Sequence, residues 1–138
     1  MRRFVVFLVT ALGPIVLASA PGPVFEGTPP IKSMGCFAFA PDGTLFIGDA
    51  QEAYVYAIDL GDETKNLGKD KLQVSDIDLK LAAMLGTTAR ELRIHDMAVN
   101  PISHNVYLGV TRGSGNDATP VLIRVNAAAK IEIVSLEG

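Results

Sequence analysis

A strand-and-turn unit occurs twice in this chain, and such a repeat restricts the fold before any single residue does. Phe37-Ala38-Phe39-Ala40-Pro41 is matched in register by Met97-Ala98-Val99-Asn100-Pro101, 60 positions further on. Pro41-Asp42-Gly43 then reads as a turn, because Pro presets its first corner and Gly accepts positive φ. Its counterpart is Ser103-His104, in a turn one residue longer. The return strands are Thr44-Leu45-Phe46-Ile47-Gly48-Asp49 and Asn105-Val106-Tyr107-Leu108-Gly109-Val110-Thr111. Each holds an apolar-aromatic-apolar triplet followed by Gly. Third strands are expected over Ala53–Leu60 and Pro120–Asn126, from their aromatic and β-branched content. A fourth, weaker strand is expected within Lys71–Ser75, and its counterpart over Lys130–Leu136.

One helical stretch separates the two units. Ile77, Leu81, Met84 and Leu85 fall on one helix face. Ser75 or Asp76 is positioned to cap its start, and Gly86 suits its end. Thr88-Ala89-Arg90-Glu91 has the form of a capping box, so a second short turn is expected there.

Short antiparallel strands, four to a unit with the unit repeated, predict an all-β chain made of two β-propeller blades with a short helical insert. The competing β-sandwich predicts no internal repeat. The expected layout is a first blade over 34–75, the insert over 76–93 and a second blade over 94–138. A ring needs about four to eight blades. The chain is therefore expected to be the N-terminal portion of a longer propeller, its partners the missing blades. The rival expectation is a ring closed by homo-oligomerisation.

The N-terminus carries an export pattern. Met1-Arg2-Arg3 is positive, Phe4 to Ala18 is free of charge, and Ala18-Ser19-Ala20 is a run of small residues. This order is that of a secretory signal peptide over 1–20. The apolar run is shorter than the roughly 20 residues that span a bilayer, and Gly13-Pro14 interrupts it. An uncleaved anchor is the alternative reading. Cleavage after Ala18 avoids the Pro21 that follows Ala20. The protein is thus expected to be secreted or periplasmic, meeting a membrane only through its signal. Residues 21–33 are rich in Pro and Gly and read as an extended lead-in.

Charge and cysteine content narrow the function classes. The net charge is -3, and removing Arg2 and Arg3 leaves the remainder more acidic. Nothing here points to nucleic acid. The single cysteine, Cys36, makes no intramolecular disulfide and no Cys-rich zinc site. Set in an apolar strand, it reads as a small buried hydrophobe.

The stretch from Pro41-Asp42-Gly43 through Asp49 and Tyr54-Val55-Tyr56-Ala57-Ile58-Asp59 resembles an NHL-type propeller repeat. In that family an Asp follows the second strand, and the next strand ends in Asp. Asp49 and Asp59 fall at those places. Ile94 to Val125 resembles a second blade of the same superfamily, with Val110 where an Asp is expected. The resemblance covers roughly 34–60 and 94–136 and implies fold more than activity.

Candidate site residues are few. His95-Asp96 opens the first strand of the second unit, which in a propeller lines the channel. Hydrolases and lactonases of related fold carry an Asn-Asp pair at such a position, holding a divalent metal. Here His95 replaces the Asn, and calcium, possible in a full-length form, wants more oxygen ligands than Asp96 supplies. The structural alternative is that Asp96 caps a turn or pairs with the neighbouring unit. Asp49 is placed either to bind a ligand at the propeller mouth or to accept backbone hydrogen bonds as an Asx turn. Ser103-His104 reads as a turn rather than part of a catalytic triad. The loop Arg112–Asp117 is Gly-rich but lacks the features of a phosphate-binding loop. The sequence therefore supports an exported ligand-binding or scaffold propeller. The alternative is the N-terminal part of a propeller enzyme, a metal-dependent hydrolase or lactonase.

Overall fold

The structure, a computed structural model, describes residues 3–8, 24–65 and 71–137. Strands β1 (Arg3–Leu8), β2 (Val24–Glu26), β3 (Phe37–Phe39), β4 (Leu45–Asp49) and β5 (Tyr54–Ile58) form one antiparallel sheet in the order β2-β1-β5-β4-β3. Helix α1 (Ile77–Leu85) and a 3-10 turn at Ala89–Glu91 follow. Strands β6 (Leu92–Val99), β7 (Val106–Arg112), β8 (Thr119–Val125) and β9 (Ile131–Val134) form the second sheet in sequence order. The chain is thus mostly β, with two antiparallel sheets and one short α-helix among the described residues.

The repeat is reproduced in the pairing. Leu45 faces Ile58 and Ile47 faces Tyr56 in the first sheet. Val106 faces Val125 and Leu108 faces Ile123 in the second. Leu45, Phe46, Ile47 and Gly48 therefore correspond to Val106, Tyr107, Leu108 and Gly109. Both turns use one left-handed residue. Gly43 takes it in the first hairpin at φ 85°, and His104 takes it in the second at φ 62°.

Two expectations about the first sheet are corrected. Residues 71–75 form no strand. Their two apolar side chains, Leu72 and Val74, lie instead against the second sheet. The place beside β5 is taken by β1, which pairs from Phe4↔Ile58 to Leu8↔Tyr54. Arg3–Leu8 is a near-continuous run of aromatic and branched residues, a better strand than Lys71–Ser75. The Pro/Gly-rich lead-in also contributes β2, because Val24-Phe25-Glu26 escapes the prolines on either side. The expected cleavage positions, Ala18 and Ala20, lie outside the described residues.

The two sheets stack face to face. Alternate residues of β4 and β5 (Leu45, Ile47, Tyr56 and Ile58) share a core with Tyr107 and Leu122 of the second sheet. Phe37 and Phe39 pack at its margin. Burial of side chains this large stabilises by about 1.5–3 kcal/mol each. The approach is close at Gly109, where an added Cβ would lie 2.7 Å from the Phe37 ring and 3.1 Å from Met34.

The opposite face of the second sheet holds a separate core. There Leu81 and Leu85 of α1 meet Leu108, Val110, Ile123 and Val125. Gly86 ends α1 in the left-handed region as expected, at φ 65°. Neither Ser75 nor Asp76 caps its start through a side chain: Asp76 occupies the cap position without such a bond. The Thr88–Glu91 capping box is not made either. The Glu91 carboxylate accepts a hydrogen bond from Thr87 Oγ1 instead, at 3.0 Å. No helix among the described residues is long and apolar enough to cross a membrane.

Candidate functional site

Asp49 ends β4 and is buried. Its Oδ2 accepts from the Lys32 backbone N–H at 2.6 Å, and its Oδ1 accepts from Ser33 Oγ at 2.7 Å. Oδ1 also accepts from the backbone of Gln51 at 3.0 Å and Glu52 at 3.3 Å. This is the Asx-turn arrangement extended to a second loop. Burial pushes the Asp49 carboxyl up, but these donors outweigh it and hold the group below the ordinary aspartate range. At the corresponding place in the second sheet Val110 faces the apolar side chains of α1. A helix covers that position instead of a polar loop, so a carboxylate there would have no donors.

His95 and Asp96 sit at a β-bulge. Pairing passes from Ile94↔Val110 to Asp96↔Gly109, which leaves His95 as the extra residue. His95 Nε2 lies 2.7 Å from Thr111 Oγ1 on the adjacent strand. The bulge turns Asp96 toward the first sheet. Its Oδ2 accepts from the Phe37 backbone N–H at 2.7 Å, and its Oδ1 from the Met97 N–H at 2.8 Å. Asp96 therefore joins the edge strands β3 and β6 of the two sheets. Among the described residues no three His, Cys, Asp or Glu side chains converge as a metal-binding group. With both Asp96 oxygens already accepting N–H bonds, these residues do not assemble an oxygen-rich calcium site.

A third carboxylate, Asp62, just beyond β5, differs from both in being held by side-chain donors. Its Oδ2 accepts from Ser103 Oγ at 2.6 Å and from Tyr107 OH at 2.7 Å. The Asn105 amide donates to both carboxylate oxygens, at 3.0 and 3.1 Å. Asn100 Nδ2 donates to the Asp62 carbonyl at 3.1 Å. Asn100 Oδ1 in turn accepts from the Ile102 N–H at 2.8 Å and so shapes its own hairpin. Asp62 thus ties the exit of the first sheet to the β6–β7 turn of the second. Burial pushes its carboxyl up, but the Ser103, Tyr107 and Asn105 donors and the Arg124 charge together hold it low. Burial and the Asp62 charge push the Tyr107 phenol up, so it stays a neutral donor. A signal for Asp62 was present: Asn100, Ser103, Asn105 and Tyr107 crowd four polar groups around one hairpin in an otherwise apolar pattern.

The remaining candidates separate. Ser103 is buried and directs its hydroxyl to Asp62 rather than to a base. His104 serves the turn through its left-handed backbone. Cys36 is exposed, not buried as expected. It lies on the outer side of the first sheet beside Gly48, where its Sγ would be 2.8 Å from an added Cβ.

One unfilled feature among the described residues is apolar. A groove of about 470 Å³ on the outer face of the second sheet is lined by Leu72, Val74, Ile77, Met97, Val99 and Val106, among others. Met97 is 60% exposed and Val99 50%. No family model, curated protein or solved structure matches this chain.

Proposed function

We propose that this chain is the N-terminal portion, two NHL-like β-propeller blades, of an exported ligand-binding or scaffold protein acting in the secreted or periplasmic space. One observation carries the reading. The candidate polar groups Asp49, Asp96 and Asp62 spend their oxygens on backbone and side-chain donors within the protein. The side chains left exposed on the outer face of the second sheet, Met97 and Val99, are apolar. Carboxylates bound in this way hold two sheets together, whereas a contiguous exposed apolar face marks an interaction surface. In-register pairing of the two sheets and their face-to-face stacking support the blade assignment.

Calcium-dependent stability separates this reading from a metal-dependent hydrolase or lactonase. Thermal melts of wild type and Asp96→Asn with and without millimolar calcium are expected to show no calcium-dependent rise in Tm. A rise that vanishes in Asp96→Asn would overturn the binding-module reading in favour of the enzyme. The export element is tested by intact mass of the product recovered outside the host cytoplasm. Cleavage after Ala18 or Ala20 is expected, and an uncut N-terminus in that fraction refutes it.

A further inference from the structure

We propose that the bulged end of β6 binds a phosphate group of a small molecule through Arg93 and Thr111, with His95 orienting the hydroxyl. The inference rests on the binding reading above and names a class of ligand for it. The site lies at one end of the cleft between the two sheets. Tyr107 and Gly109 face the first sheet, so Thr111, two residues further along β7, faces it too. Arg93 is the direct partner of Thr111 in the β6–β7 pairing, which sets the two side chains on one face with Cβ atoms about 5 Å apart. His95 is the extra residue of the bulge, and its Nε2 lies 2.7 Å from the Thr111 hydroxyl. With the Nε2 hydrogen donated to Thr111 Oγ1, the hydroxyl hydrogen is left to donate outward. Three groups that favour an anion therefore meet at one spot.

The repeat shows what the second unit lacks. In the first unit Gly35 and Cys36 likewise both bond Gly48: the Gly35 N–H donates to the Gly48 carbonyl and the Gly48 N–H to the Cys36 carbonyl, each at 2.9 Å. There the nearby donor is Ser33, whose hydroxyl is spent on Asp49. In the second unit Arg93 stands in the place of Ser33, His95 in that of Gly35 and Val110 in that of Asp49. The donors have gained charge, and the carboxylate that answers them has gone. Among the described residues neither Arg93 nor His95 joins an ion pair. Asp96, beside His95, spends its two oxygens on the Phe37 and Met97 N–H groups. An acceptor from outside the chain fills the gap.

The donor set selects the class of anion. The Arg93 guanidinium presents a planar fork that matches two oxygens of a phosphate. The Thr111 hydroxyl meets a third oxygen, and a protonated His95 adds a second positive charge beside a group that carries close to two negative ones. A carboxylate has only two oxygens, which the fork alone satisfies, and it leaves Thr111 unused. Both sheets that bound the site are in place, since Phe37 and Met34 close the cleft two residues deeper, beside Gly109. Arg93 and His95 are exposed, so a ligand reaches them from solvent.

Proton NMR of the full chain during titration with inorganic phosphate, at fixed pH and ionic strength, tests this. The chain has two histidines, so His104, in the turn at the other end of β6, is an internal control. The His95 ring signals are expected to move saturably and the His104 signals to stay. Arg93→Gln is expected to weaken binding about tenfold, the worth of one charge-assisted hydrogen bond. Arg93→Lys keeps the charge without the fork and is expected to fall between the two. Thr111→Val is expected to weaken binding as well, and Thr111→Ala replaces it if circular dichroism shows the first variant unfolded. Arg112→Gln makes the same change of charge on the opposite face of β7 and is expected to leave the response as it is. A His95 signal that does not move, an equal response to acetate, or an equal loss in Arg112→Gln overturns the proposal. Hydrogen exchange locates the fault: an unresponsive chain with protected β6 and β7 amides removes the site and leaves the two-blade reading standing, whereas unprotected amides remove both.

Discussion

Tyr107 donates its phenolic hydrogen to Asp62 across 2.7 Å, and through this bond the second strand of one sheet holds the exit of the other. Tyr107→Phe keeps the ring in the core and removes one charge-assisted hydrogen bond. It is expected to cost about 1–2 kcal/mol. Asp62→Ala strands the Ser103, Asn105 and Tyr107 donors together and is expected to cost about 3 kcal/mol. Urea unfolding midpoints of the two variants check the order. Equal losses would show that Ser103 and Asn105 contribute nothing.

The same carboxylates set the acid limit of stability. Asp49 and Asp62 both titrate below the ordinary aspartate value in the folded protein. A depressed folded value means the unfolded chain binds protons first, so stability is fully present above about pH 4 and falls as pH drops further. At the alkaline end the raised Tyr107 phenol acts oppositely. Its contribution is present at neutral pH and is lost as pH rises past about 10, where an unfolded tyrosine ionises. Unfolding free energy measured against pH is expected to fall at both ends, and Tyr107→Phe to flatten the alkaline limb and, by removing one donor that holds Asp62 low, to weaken the acid limb as well.

Two neighbouring glycines are expected to respond differently to alanine. A Cβ on Gly35 would meet the Gly48 carbonyl oxygen at 2.5 Å, and that backbone is held by paired strands. Gly35→Ala is expected to cost about 1–3 kcal/mol. A Cβ on Gly48 would meet the exposed Cys36 Sγ, which rotates away. Gly48→Ala is expected to cost less than about 0.5 kcal/mol in the folding of a single chain. Chemical denaturation of both variants at low protein concentration reads the difference.

A chain beginning at Pro21 lacks β1, which leaves the far edge of β5 unpaired and removes Phe4 from beside Tyr56 and Ile58. Amides of Tyr54–Ile58 that bond to β1 are expected to exchange faster in that chain, by about tenfold for each 1.4 kcal/mol lost. Amides of β7 and β8 are expected to be unchanged. Equal exchange of β5 in both chains would show that β1 adds nothing to the sheet.

Much of the architecture was legible because it rests on local pattern. The Pro41-Asp42-Gly43 turn, the alternation in Leu45–Asp49 and the helix stop at Gly86 all follow from chemistry within a few residues. What escaped depends on distant partners. Arg3–Leu8 is equally suited to a signal or to a strand, and only the open edge of β5 decides between them in the folded chain. Cys36 looked like core because its neighbours are apolar, yet the two-residue alternation of β3 turns it outward. For the site, His95 and Asp96 were singled out for their chemistry, and their distinguishing feature is a bulge that no composition reveals. Asp62 was missed because a lone Asp in a turn is commonplace. Its significance lies in four donors contributed by a hairpin that follows much later in the chain.

The pairing of Phe4 with Ile58 also fixes an order in time. The ribosome makes β1 first and its partner β5 much later, several seconds apart at roughly 5–20 residues per second. Through most of that interval the segment has only the three-residue β2 to pair with. A translocation apparatus that recognises such stretches has those seconds in which to engage it. Once Tyr54–Ile58 emerges, the same residues have a competing destination. If the segment serves as the export signal proposed above, the choice between an exported chain and one that keeps its first strand is a race between membrane targeting and the synthesis of a single hairpin.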